Sequence, residues 1–218
     1  AVFFDLDGVL IDSRQSTIDY FKETFKHFNY PVPEDKDFTP YIIGLKTSEI
    51  TKILLPKGTS QEEIQKVYEY GMEMSMKYVP KIDIVSAAAS VLKRLKKHYK
   101  IALITNRGKL TTQMILKLHK LDIYFDLVID RNDLKNHKPH PEGILKALQD
   151  LNVSSENAVY VGDTWVDIEA AKNANIKSIL ISNTKEDLGA DFKIPHISKL
   201  PSLIEKLHKP SSKSQNQL

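Results

Sequence analysis

The sequence predicts an α/β protein: a Rossmann-like parallel sheet with helices on both faces, plus a small all-helical cap domain inserted after strand one. Three observations predict it. The chain opens on a short apolar run, Val2-Phe3-Phe4. From residue 82 onward, similar runs alternate with amphipathic stretches, the pattern of a parallel sheet covered on both faces. Between these parts, residues 14–81 show helical periodicity and no convincing strand. The predicted division is 1–13 and 82–208 for the discontinuous core, 14–81 for the cap and 209–218 for a flexible tail.

Each element has its own local reason. Strand one ends in Asp5-Leu6-Asp7-Gly8. In an extended segment residues two apart share a face, so both carboxylates are expected together at its C-terminal end. Ile18, Phe21, Phe25 and Phe28 recur at helical spacing, and Pro31 and Pro33 end that run. This stripe reads as packing inside the cap. A short helix is expected at 50–55. A longer one starts at Ser60, which has capping-box spacing to Glu63, and runs to Tyr78 before Pro80. In the core, a helix at 85–97 leads to the strand Ile101–Thr105. A helix at 110–119 leads to a strand at 125–129. Pro141 suits a first helical turn. The strand Ala158–Asp163, a short helix through Ala170 and Ala171, and a strand at 178–181 complete the pattern. The tail is polar and rich in Ser, Lys and Gln.

Composition bounds the function. The chain has 218 residues, 41% apolar and 27% charged, with a net charge of +3 and no cysteine. Interspersed charges of both signs argue against a nucleic-acid partner. The missing thiols exclude disulfides and thiolate chemistry, and fit a reducing, cytoplasmic location. No apolar run approaches the ~20 residues that span a bilayer, and no signal-peptide pattern is seen. Because Ala1 already lies in a strand, a few upstream residues are expected.

The C-terminal ends of parallel strands share one sheet edge, where open α/β sheets bind ligands. At those ends the sequence places Asp5 and Asp7, then Thr105-Asn106-Arg107-Gly108, then Gly162-Asp163-Thr164 with Asp167 following. The loop after the 125–129 strand carries His137-Lys138-Pro139-His140. Asp5, Asp7 and Asp163 can offer hard oxygen ligands to Mg²⁺. A carboxylate can attack phosphorus. Thr105 and Asn106 can hold phosphoryl oxygens, and Lys138 can neutralise their charge. These are the parts that phosphoryl transfer needs.

Asp5-Leu6-Asp7-Gly8-Val9-Leu10, Thr105-Asn106, Lys138-Pro139 and Gly162-Asp163-Thr164-Trp165-Val166-Asp167 resemble the four ordered motifs of the haloacid dehalogenase-like hydrolase superfamily. The resemblance is greatest to its small phosphatases of the phosphoglycolate phosphatase and β-phosphoglucomutase type. It implies Asp5 as nucleophile and metal ligand. It implies Asp7 as acid and base, with its main-chain carbonyl on the metal. Thr105 and Asn106 would bind the phosphoryl group, and Lys138 would steady it and the nucleophile. Asp163 would be a direct Mg²⁺ ligand, and Asp167 would order a metal-bound water or bind the ion itself. An acid at position 7 favours phosphate chemistry over dehalogenation. Trp165 in the fourth motif bears on entry to the site.

Around these motifs the assignments stay open. Asp12 and Ser13 read first as a hinge or helix N-cap before the cap, with a substrate role as the alternative. Arg107 reads either as a substrate contact or as a solvated charge. Lys46 and Thr47, with Tyr41 and Gly44, form a candidate specificity loop over the site. His137 and His140 are poor Mg²⁺ ligands.

The leading expectation is an Mg²⁺-dependent phosphatase, monomeric or homodimeric, hydrolysing a small phosphorylated metabolite through an aspartyl-phosphate. A phosphomutase uses the same motifs. A non-catalytic, Mg²⁺-dependent phosphoacceptor or metabolite-binding protein is the alternative of another class.

Overall fold

The computed structural model describes residues 1–42 and 47–208, with side chains for all but 39–42. Six strands form one parallel sheet: β1 (Val2–Phe4), β4 (Ile101–Ile104), β5 (Leu127–Ile129), β6 (Val159–Gly162), β7 (Lys177–Ile181) and β8 (Phe192–Ile194), in the order β5-β4-β1-β6-β7-β8. Phe4 is in register with Leu103 on one side and Val161 on the other. The chain adds two strands on one side of β1, then returns to build the other side. The strand order therefore reverses beside β1, and a crevice opens at the carboxyl ends there.

Alternation along β1 explains the layers. Val2 and Phe4 join a core with Leu103, Val161 and Leu92 on one face. Phe3 joins Ala102, Ile104 and Tyr160 on the other. Helices α5 (Ala88–Leu95), α6 (Lys109–Leu118) and α9 (Leu200–His208) contribute to the first core. Helices α7 (Glu142–Asp150) and α8 (Trp165–Asn173) contribute to the second. Gly143 on α7 lets its backbone meet β4, since a Cβ there would lie 2.8 Å from Ile104 Cγ2.

The helical block leaves and rejoins the core through a two-stranded antiparallel pair, β2 (Ile11–Asp12) with β3 (Asp83–Ile84). Between them lie α1 (Arg14–His27), α2 (Asp35–Ile42), α3 (Thr47–Leu54) and α4 (Gln61–Tyr78). Phe21, Phe25 and Phe38 form a separate core with Val67 and Met74, and Phe28 packs at its margin. The Ser60 side chain accepts from the Glu63 N–H at 3.2 Å and caps α4 as the spacing predicts.

Several elements differ from the sequence reading. Strand β1 stops at Phe4, so Asp5 and Asp7 do not both close an extended strand. Asp5 N still donates to Val161 O at 2.9 Å, but Leu10 N and Ile11 N fold back onto Leu6 O and carry Asp7 into a tight loop. Residues beyond 181 form β8 and α9, and 35–42 form α2; none of these was expected. The predicted tail 209–218 and the loop residues Gly44 and Lys46 lie outside the described residues.

Candidate active site

A cavity of about 500 Å³ sits over the carboxyl ends of β1, β4 and β6, between the sheet and the helical block. At its base is a buried ion-pair chain. Lys138 Nζ lies 2.8 Å from Asp5 Oδ1 and 2.6 Å from Asp167 Oδ1. It also donates to the Tyr160 hydroxyl at 2.9 Å, which donates in turn to Ile104 O at 2.9 Å. Burial opposes the lysine's charge, but Asp167 and Asp5 outweigh it and hold its pKa well above the ordinary value.

The loop Thr105–Gly108 positions that lysine. Asn106 Nδ2 donates to Lys138 O, and Lys138 N donates to Asn106 Oδ1, both at 3.1 Å. This reciprocal amide clamp fastens the Lys138 loop to the end of β4. Thr105 is buried beside it, and its Oγ1 accepts from Arg107 N at 3.1 Å.

Asp167 is fully buried at the start of α8. Its Oδ2 accepts from Thr164 Oγ1 at 2.6 Å, Thr164 N at 3.1 Å and Asp163 N at 3.3 Å. It therefore holds both the lysine and the Asp163 turn. Two glycines permit this approach. A Cβ on Gly162 would lie 2.2 Å from Asp167 Cβ, and one on Gly8 would lie 1.9 Å from Asp163 Oδ2. Gly8 also has φ of 75°, a region that L side chains disfavour.

One carboxylate oxygen from each of Asp5, Asp163 and Asp167 lies within 4.8 Å of the others. Among the described residues, Asp163 Oδ1 is buried with no hydrogen-bond partner, and Asp5 Oδ1 has only the ion pair to Lys138. Burial, with Asp167 and Asp5 adding repulsion, pushes Asp163 up to about 8. Burial likewise pushes Asp5 up to about 7 against the pull of Lys138. Fully ionised, Asp5, Asp163 and Asp167 would set three negative charges against Lys138, the one cation paired with them among the described residues. One divalent cation would close that deficit, and oxygen donors with an orphaned buried atom among them fit a hard ion. The Asp7 side chain is outside this cluster among the described residues.

Asp7 is held elsewhere. Arg107 spans its carboxylate, Nη2 to Oδ1 at 2.6 Å and Nε to Oδ2 at 3.1 Å, while Ser13 Oγ donates to Oδ1. Burial is the largest single influence on Asp7 and would raise its pKa, but Arg107, with Ser13 and Lys138, together outweigh it and hold the pKa below the ordinary carboxylate value. Ser13 occupies the N-cap position of α1 without a side-chain capping bond; its hydroxyl serves Asp7 instead. Thr47 and Glu49 on α3 line the far wall, and Trp165 stands at the pocket, 47% exposed.

The structure thus brings Asp5, Asp7, Thr105, Asn106, Arg107, Lys138, Asp163 and Thr47 around one cavity, with Asp167 behind it. Lys46 lies outside the described residues. Sequence reasoning missed Tyr160 and Arg131, and it named Ser13 without its bond to Asp7. Tyr160 could have been found from its place on a strand leading into the fourth motif, since a tyrosine in a buried apolar run needs a hydroxyl partner.

A parallel α/β sheet with an aspartate–lysine pair and an acid cluster at its switch point, under a helical insert, is the plan of a capped hydrolase of the phosphatase class. The haloacid dehalogenase-like hydrolase family model matches residues 2–181. Pyrophosphatase PpaX of Bacillus mycoides is 34% identical over 184 residues, covering 84% of this chain and 83% of the relative. PpaX of Bacillus anthracis is 32% identical over 215 residues, covering 95% and 97%. The structure of a subfamily IA hydrolase from Geobacter sulfurreducens superposes with a TM-score of 0.77 at 24% identity, covering 93% of this chain and 95% of that one. The chain belongs to the haloacid dehalogenase-like hydrolase family, and it is an enzyme of the phosphatase class. Among the described residues, no helix is long and apolar enough to cross a membrane.

Proposed function

We propose that the protein is an Mg²⁺-dependent phosphatase that hydrolyses a small phosphorylated metabolite through an aspartyl-phosphate on Asp5. The observation that carries this reading is the buried Asp5–Lys138–Asp167 chain, set beside the partnerless oxygen of Asp163. Lys138 keeps one face of Asp5 fixed and supplies positive charge where phosphoryl oxygens would gather. Thr105 and the neighbouring backbone N–H groups are suited to the same oxygens.

In the first step an Asp5 carboxylate oxygen bonds to phosphorus, and the bond from phosphorus to the leaving oxygen breaks. Asp7 delivers a proton to that oxygen. In the second step water attacks the acyl phosphate, Asp7 takes a proton from it, and inorganic phosphate departs with Asp5 restored. Asp5, Asp163 and Asp167, with the Asp7 carbonyl, are the groups that would hold Mg²⁺. Bound there, the ion would offset charge on the phosphoryl oxygens and the acids. The helical block, residues 14–81, acts in this reading as a cap that excludes bulk water. The PpaX relatives carry the name pyrophosphatase, which favours a compact substrate.

The test is hydrolysis of an aryl phosphate with and without Mg²⁺. The expected result is metal-dependent release of phosphate, reduced by about 10⁴-fold or more in Asp5→Asn, with the circular dichroism spectrum unchanged. Full activity in that variant, or none in the parent protein with Mg²⁺, overturns the reading.

A further inference from the structure

The proposed acid and base, Asp7, is covered. Arg107 places two N–H donors on its two carboxylate oxygens, at 2.6 Å and 3.1 Å. A leaving-group oxygen competes for the same carboxylate edge. Planar forks of this kind are strong, directional pairs, so something must draw Arg107 away before Asp7 can serve the leaving group. A neutral alcohol offers a guanidinium little in exchange for a carboxylate. A second anion on the leaving group offers an equivalent partner.

A second arginine stands next to the first. Arg131 lines the same cavity, and its backbone N donates to Arg107 O at 3.0 Å. Arg131 is half-buried, and its guanidinium has no hydrogen-bond or ion-pair partner among the described residues. The cavity therefore holds one guanidinium that can be exchanged and one that is available. Lys138, which lines the same cavity, is committed to Asp5 and Asp167.

We propose that Arg107, supported by Arg131, selects substrates whose leaving group is itself an anion. Such a group takes the Arg107 fork off Asp7, and Asp7 is uncovered as the substrate seats. The substrate class is a compact phosphoester or phosphoanhydride with a carboxylate or a second phosphate close to the scissile bond. This inference rests on the reading of Asp5 and Asp7 given above. It assigns Arg107 a role in choosing the substrate, exerted through its hold on Asp7.

The experiment compares 2-phosphoglycolate with 2-hydroxyethyl phosphate, which differ in one carboxylate. Pyrophosphate serves as the second-phosphate arm. Values of kcat/KM are measured with Mg²⁺ for the wild type, Arg107→Gln and Arg107→Lys. Equilibrium binding of the same three probes to Asp5→Asn is measured by calorimetry. The wild type is expected to favour at least one of the anionic-leaving-group probes over 2-hydroxyethyl phosphate by roughly 10- to 100-fold, the scale of one charged hydrogen-bonded contact. Arg107→Gln is expected to bring the probes to near parity, chiefly by losing the anionic ones, and Arg107→Lys to keep part of the difference. Whichever of phosphoglycolate and pyrophosphate is preferred identifies the source of the second anion. Equal handling of all three by the wild type overturns the proposal, and so does a preference that survives in Arg107→Gln. The binding arm separates the two readings. A binding preference without turnover of any probe supports the role of Arg107 and counts against the hydrolytic reading alone.

Discussion

At the scale of single residues, the site is a balance of buried charge. Asp5 and Asp163 have pKa values pushed up to about 7 and about 8, mainly by burial. In the unfolded chain both titrate near the ordinary aspartate value of about 4. Between these limits the folded state holds more protons than the unfolded one, so stability falls as pH rises through that window. The metal-free protein is expected to melt at progressively lower temperature from about pH 5 to pH 8. Added Mg²⁺ should raise the melting temperature more at pH 8 than at pH 6, because more of the carboxylate it would bind is then ionised and fewer protons have to be displaced. A thermal-shift series at constant ionic strength checks this. A metal-induced shift that is equal or larger at pH 6 would contradict it. Residues such as Asp5 and Asp163 were legible in the sequence because carboxylates after apolar strands are conspicuous. Ser13 was not, since a serine before a helix reads first as a cap, and its bond to Asp7 depends on a loop that only the fold defines.

At the scale of elements, two turns bring the acids together. The Gly8 turn and the β6–α8 junction approach so closely that a methyl group at position 8 would overlap Asp163. Gly8→Ala is therefore expected to carry backbone strain of about 1–2 kcal/mol from its positive φ, and in addition to displace Asp163. Gly189→Ala is the matched control. Its φ is 74°, close to the 75° of Gly8, but nothing lies within 4 Å of the added Cβ. Both variants should lose similar backbone stability, while only Gly8→Ala should lose the Mg²⁺-induced thermal shift and the phosphatase activity. Equal metal responses in the two variants would show that the close approach is unimportant.

Strands β1, β4, β5, β6 and β7 were readable because parallel strands buried on both faces are continuously apolar. Helix α2 was not, because it opens on the polar run Asp35-Lys36-Asp37 and its buried anchor Phe38 makes no repeating apolar stripe with them. Strand β8 was also missed. Lys193 interrupts it, and an edge strand carries a weaker apolar signal than the strands it borders. The β2–β3 pair is two residues on each side, too short for any period to register.

At the scale of the whole molecule, the sheet places the site and the insert covers it. The reversal of strand order beside β1 puts the ends of β4 and β6 on either side of Asp5. The antiparallel β2–β3 pair then lets the helical block stand over that point on two adjacent strands. That the acids gather at one sheet edge could be anticipated from the order of strands and motifs. The occupation of Asp7 by Arg107 could not, since it joins residues 100 positions apart in sequence. The account as a whole depends on a covalent phosphoryl group passing through one carboxylate. The most direct measurement is acid quench within milliseconds after mixing protein, Mg²⁺ and a ³²P-labelled substrate, followed by proteolysis and identification of the labelled peptide. The account predicts label on the peptide containing Asp5 as an acyl phosphate released by hydroxylamine, with more of it in Asp7→Asn as breakdown slows. Full turnover with the label on another residue, or with no labelled peptide in either protein, would contradict it.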